Sequence, residues 1–175
     1  MGREVRMVPK YWAHPVDHNG EYIPLLSGSF AEAQAEWDEA FAKWNDGLVN
    51  DWANGGWKSW TREEVGEAES YADWAGDRPE PHEYMPNWQL NERTHLMMYE
   101  TTSEGTPISP AFETAEELAR WLADTGASSF GDATATYEQW METIRAGSAP
   151  SAVFSSDRGL ESGVAYTGDV LAVRS

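Results

Sequence analysis

The chain contains no cysteine. That excludes a disulfide framework, a thiolate zinc site and a cysteine nucleophile, and it suits a reducing compartment. No apolar run approaches the ~18 residues needed to span a bilayer, and no apolar segment follows Arg3, Arg6 and Lys10 as it would in a signal peptide. Neither a membrane span nor a leader is expected. Basic side chains are scarce, with 12 Lys+Arg against 30 Asp+Glu and a formal net charge of -18. Protein affinity for nucleic acid comes largely from basic groups displacing counterions, so direct nucleic-acid binding is not expected, and anionic membranes are disfavoured for the same reason. Catalytic signatures are missing too: there is no G-x-S-x-G elbow, Walker loop, G-x-G-x-x-G or H-E-x-x-H.

What is present reads as an ordinary folded chain. Its 175 residues fit one domain, which at this size buries roughly two-thirds of its unfolded surface without a staple. Ten tryptophans supply large side chains for a core. Pro9, Pro15 and Pro24 break any helix early on, so residues 1–28 are expected to form an irregular arm, with Glu21 to Leu26 as a short edge strand. Residues 29–175 are expected to form a single α+β domain.

Within it, Ser29 and Glu32 open a helix to about Val49, with Phe30, Ala33, Trp37, Phe41, Trp44 and Leu48 on one stripe. Thr61 and Glu64 open a second, ending at Gly76. Thr114 with Glu117 and Thr136 with Gln139 open two more, closed by Gly126 and Gly147. His95 to Thr102 alternates as a strand, with Leu96, Met98 and Glu100 on one side and Met97, Tyr99 and Thr101 on the other. Ile108 to Phe112, Ala152 to Phe154 and Val164 to Val173 read as further short strands. The fold class that follows is α+β: about four helices packed on a small, mostly antiparallel sheet. Trp37, Phe41, Trp44, Trp121, Leu122, Trp140 and Ile144 are the expected main core.

Three features could carry function. Trp52, Trp57 and Trp60 surround the turn Asn54-Gly55-Gly56, as a stacking platform or as a lid folded onto the core. Acidic residues crowd the outer faces of the first two helices: Glu32, Glu36, Glu39 and Asp46 on one, and Glu63, Glu67, Glu69 and Asp73 on the other. Close like charges cost a helix ~0.2–0.5 kcal/mol per pair. Tolerating them is understandable if they imitate a phosphate backbone and meet a partner's Lys and Arg, or if they simply solubilise. The third feature is the stretch from Tyr99 to Ser109. Its groups Tyr99, Glu100, Thr101, Thr102, Ser103, Glu104 and Thr106 could engage a small molecule or nucleotide, or could satisfy their own backbone. His14 and His18 stand four apart with Asp17 nearby, but Pro15 prevents the helix that would align them. No metal site and no cofactor is expected.

The opening Gly2-Arg3-Glu4-Val5-Arg6-Met7-Val8-Pro9, with Trp12 and His14-Pro15, resembles the start of many uncharacterised bacteriophage and prophage proteins. The blocks from Tyr99 to Pro110, Phe112 to Phe130 and Thr136 to Ile144 resemble them as well. The resemblance implies a phage-encoded accessory protein acting in the cytoplasm of a bacterial host, and it transfers no catalytic residue. Together with the charge, it sets the leading expectation. This is an acidic protein whose Glu36, Glu39, Glu63, Glu67, Glu69 and Asp73 bind a basic surface on a host protein or protein–nucleic-acid complex. Inhibition of a defence or nucleic-acid-processing complex, of anti-CRISPR or anti-restriction type, with nucleic-acid mimicry as one route, is the concrete form. The alternatives are a small-molecule or nucleotide binder at the Tyr99–Ser109 loop, an enzyme whose groups are scattered along the chain, and a virion role.

Overall fold

The computed structural model describes residues 2–101, 105–156 and 159–172. Along the chain, β1 (Arg3–Val8) precedes α1 (Phe30–Asn45), β2 (Leu48–Asn50), β3 (Trp57–Ser59), α2 (Arg62–Val65) and α3 (Tyr71–Ala75). Then come β4 (His95–Glu100), β5 (Thr106–Pro107), α4 (Ala115–Asp124), α5 (Tyr137–Ala146), β6 (Ser148–Ala149), β7 (Ala152–Ser155), β8 (Gly159–Ser162) and α6 (Gly163–Ala172). The fold is α+β, and among the described residues the paired strands are antiparallel, in sheets of four, two and two. The chain forms two compact units, Met1–Leu25 with Pro86–Ser175, and Leu26–Met85.

In the first unit the sheet order is β5-β4-β1-β6. Residues 3–8, expected within an irregular arm, are therefore an inner strand. Arg3 to Val8 pairs with β4 over its whole length, Arg3 opposite Glu100 and Val8 opposite His95. This register puts Val5 and Met98 on one face and Arg6, Met97 and Tyr99 on the other, the alternation expected for β4. The first face carries the core. Met98 packs with Leu118, Ala119 and Leu122 of α4, Trp140, Met141 and Ile144 of α5, and Val164 of α6. The caps hold where the sequence places them. Thr114 accepts from the Glu117 amide, Thr136 and Gln139 make a reciprocal capping box, and Gly147 closes α5 in the left-handed conformation.

The run from Val164, expected as a strand, is instead α6. Its apolar residues carry no period that separates the two states. The deciding signal is Ser162, whose hydroxyl accepts from the Ala165 amide at 3.1 Å. Gly163 also matters, because a Cβ there would lie 1.8 Å from the Pro150 carbonyl oxygen.

In the second unit α1 ends at Asn45, short of the expected Val49, and Gly47 at φ +80° turns the chain into β2. The second helix is not continuous either. Gly66 at φ +60° and ψ −129° stops α2 after one turn, and Ser70 caps a separate α3. The core of this unit is aromatic. Trp44, Val49, Val65 and Tyr71 are buried, with Trp37, Trp60 and Trp74 packed against them. Trp44 stacks on Trp60 at 5.1 Å and on Trp74 at 5.4 Å between centroids. The expected core thus divides between two clusters, and three of its members lie at an edge: Trp37 and Trp121 are half-buried and Phe41 is exposed.

Trp140 has no exposed surface and Phe41 retains 41%. Trp140→Ala is expected to cost ~3–5 kcal/mol in urea unfolding, and Phe41→Ala less than about 1 kcal/mol. The reverse ranking would mean that α1 and α5 bury other faces than these.

Candidate functional site

A concavity of the second unit has a volume of about 680 Å³ and is walled by indole and phenol rings: Trp37 from α1, Trp52 and Trp57 from the β2–β3 hairpin, and Tyr71 and Trp74 from α3. Sequence and local structure explain why a hollow exists here. On α1, Ala33, Glu36, Trp37 and Ala40 follow one another at helical spacing and line the hollow, and the two alanines are too small to fill it. Opposite, Asp51 organises the hairpin tip. Its carboxylate accepts from the amides of Ala53 and Asn54 and from the Asn54 side chain, which holds it below the usual carboxylate range, with the Asn54 side-chain bond the largest cause. Gly55 and Gly56, both at φ +78°, complete the turn. Trp57 is paired opposite Asn50 and Trp52 stands out at 85% exposure. Of the three tryptophans around this turn, only Trp60 folds onto the core.

Glu36 and Glu39 also line this hollow. The acidic stripe of α1 is thus, in part, one wall of an aromatic pocket. Acidity is concentrated in this unit, where residues 26–85 hold fourteen carboxylates and four basic side chains. Those four are engaged internally. Arg78 makes a two-pronged pair with Asp38, at 2.8 and 2.7 Å, Lys58 pairs with Glu64, Arg62 donates to the Ala68 carbonyl, and Lys43 lies 5.9 Å over the Trp57 ring. Glu36, Glu39, Glu63, Glu67 and Glu69 are exposed and have no ion-pair partner among the described residues. Asp73 differs. Its carboxylate accepts from the Ser70 amide and hydroxyl, both at 2.8 Å, so it closes the α3 cap, and these bonds hold it below its ordinary range.

The polar stretch after β4 is arranged otherwise. Tyr99 and Glu100 are buried in the first unit and Thr101 is exposed. Thr106 is half-buried in β5, and Ser109 takes the Met98 amide at 2.9 Å. Thr102, Ser103 and Glu104 lie outside the described residues. Gly105 is pressed so close to the chain that a Cβ would lie 2.1 Å from the Leu25 carbonyl oxygen.

Tyr99 is the centre of a network that sequence reading missed, because its members lie up to 87 residues apart. The Trp12 indole donates to the Tyr99 hydroxyl at 3.1 Å. His14 Nε2 lies 2.6 Å from the Ile23 carbonyl, which makes it the protonated nitrogen, so the Tyr99 hydroxyl donates to His14 Nδ1 at 3.2 Å. Arg6 lies 4.3 Å over the Tyr99 ring, meets Glu4 at 2.9 Å and donates to the Leu25 carbonyl at 2.7 Å. Burial pushes the Tyr99 phenol up and lowers His14, and the Arg6 charge lowers His14 further. This is a saturated polar core rather than a reactive site. His14 is committed to it, and His18 on the surface does not join it. Among the described residues no three His, Asp or Glu side chains converge as a metal site would require, and no helix is long and apolar enough to cross a membrane.

A second, shallower groove of about 500 Å³ lies in the first unit between Phe112 and α4, lined by His95, Glu117, Arg120, Trp121 and Asp124. None of the acidic or polar-loop residues expected to carry function lines it. No family model, curated protein or solved structure matches the chain.

The His14 arrangement has a measurable consequence. A proton binds unfolded His14 near pH 6.5 and the folded residue only at lower pH, so the stability it contributes is present above pH 6.5 and is lost as pH falls below that value. His14→Gln keeps a donor and an acceptor but does not titrate. Its deficit in melting temperature relative to the parent chain is expected to shrink between pH 7.5 and 5.5. A deficit constant over that interval would show that His14 is equally easy to protonate in both states.

Proposed function

We propose that this chain is an acidic accessory protein of phage origin that acts in a bacterial host by binding a basic surface on a host protein or protein–nucleic-acid complex, and so blocks a defence or nucleic-acid-processing activity. The observation that carries the reading is the distribution of charge in residues 26–85. The basic groups there are engaged within the unit, while Glu36, Glu39, Glu63, Glu67 and Glu69 remain exposed without an ion-pair partner among the described residues. Rows of carboxylates on a folded scaffold present the charge of a phosphate backbone to a partner's Lys and Arg. Such complexes form fast and weaken steeply with salt, because screening sets in at ~8–10 Å under physiological conditions. The alternative at the Tyr99–Ser109 loop has less support, since Tyr99 and Glu100 are buried.

The test is charge reversal at positions that support no local structure. Glu63, Glu67 and Glu69 qualify, whereas Asp73 closes the α3 cap. The triple variant E63K/E67K/E69K is expected to keep the parent's melting temperature and to lose the ability to raise phage plating on a host carrying the targeted defence. If it retains that ability while Thr101→Ala or Thr106→Ala destroys it, the polar loop is the working site and the acidic surface only solvates.

A further inference from the structure

The aromatic hollow combines three properties that narrow what it can hold. Its walls are built largely from aromatic side chains, Trp37, Trp52, Trp57, Trp74 and Tyr71. Its volume of about 680 Å³ exceeds what one small cation fills. Two carboxylates, Glu36 and Glu39, stand at it without an ion-pair partner among the described residues. Ring faces present negative potential, and so do carboxylates, so the occupant carries positive charge. The kind of cation follows from the mixture. A quaternary ammonium is satisfied by rings alone and has no N–H to give Glu36 and Glu39. A primary ammonium is a compact, strongly hydrated charge whose desolvation against indole is costly. A guanidinium is weakly hydrated and planar, stacks on an aromatic face, and keeps a fork of N–H donors for a carboxylate. The same unit already makes one such pair internally, Arg78 on Asp38 at 2.8 and 2.7 Å.

We infer that the hollow formed by Trp37, Trp52, Trp57, Tyr71 and Trp74 with Glu36 and Glu39 is a socket for an arginine side chain presented by the basic partner, together with the backbone that carries it. This rests on the reading that the acidic unit meets a basic macromolecule, and it adds what that surface recognises. Long-range attraction from the surrounding carboxylates brings the partner in without distinguishing Arg from Lys, and the socket makes the distinction.

Isothermal titration of the full chain with the peptide acetyl-Gly-Arg-Gly-amide tests it, against the same peptide carrying lysine or the uncharged arginine isostere citrulline. One arginine peptide is expected to bind per chain, and the lysine and citrulline peptides about 10-fold more weakly or worse. Trp52 is 85% exposed, so Trp52→Ala is expected to keep the melting temperature and weaken the arginine peptide by about 10-fold. E36Q/E39Q is expected to weaken it and flatten its salt dependence. Equal binding of the arginine and citrulline peptides, or an unchanged affinity in Trp52→Ala, overturns the socket. Association with polylysine separates this from the broader reading. Trp52→Ala is expected to leave it intact and E63K/E67K/E69K to weaken it. Loss of arginine selectivity with polylysine binding retained refutes the socket alone, whereas a parent chain that ignores polylysine refutes the acidic-surface reading as well.

Discussion

Two guanidinium groups on one strand hold the first unit together. A buried cation needs partners or it unfolds what surrounds it, and β1 buries two, one on each face. Arg3 is 1% exposed and reaches the carbonyl and hydroxyl oxygens of Ser128 in the loop between α4 and α5, at 2.9 and 3.2 Å. Arg6, on the opposite face, reaches the Leu25 carbonyl, the Glu4 carboxylate and the Tyr99 ring. Each strand face is thereby tied to a segment without regular structure. The segment from Pro9 to Leu25 makes few ladder hydrogen bonds of its own, and it is fixed by Arg6 and the His14–Tyr99 contacts instead.

Each unit solves a different packing problem. The first has conventional amphipathic helices on a sheet. The second has too few aliphatic residues for that and packs ring against ring, with Tyr71 edge-on to Trp37 at 5.1 Å and tilted against Trp44 at 5.7 Å. Rigid rings cannot fill space as adaptably as leucine or methionine. A cluster of them over alanines leaves a hollow, and the acidic helix that contributes Trp37 supplies that hollow with charge. Packing and recognition share the same side chains.

The sequence makes some of this legible and hides the rest for physical reasons. Caps are local, so Ser29, Thr61, Thr114 and Thr136 could be read directly, and each accepts the amide it should. β4 was legible because Leu96, Met97, Met98 and Tyr99 make a short apolar run that ends at a polar turn. The role of β1 was not. Its arginines break the apolar pattern that marks an inner strand, and only the fold reveals that they are buried. The break at Gly66 was not legible, because a glycine inside a helical pattern can be tolerated as well as end the helix. The pocket was half visible. Three tryptophans around a glycine turn and a row of acids on α1 were each apparent, but their convergence depends on long-range packing that spacing does not encode.

The tryptophan stack has an optical consequence. Residues 26–85 hold six of the ten indoles, and Trp44 lies nearly parallel to Trp60 and Trp74, at interplanar angles of 20° and 29°. Chromophores so close and so oriented share their excited states. Their coupled transitions add rotational strength in the far ultraviolet, where helices are ordinarily counted. The circular dichroism of this chain therefore carries a signature of indole geometry on top of its backbone signal. That contribution vanishes when the stack loosens, so the second unit reports its own melting without any label.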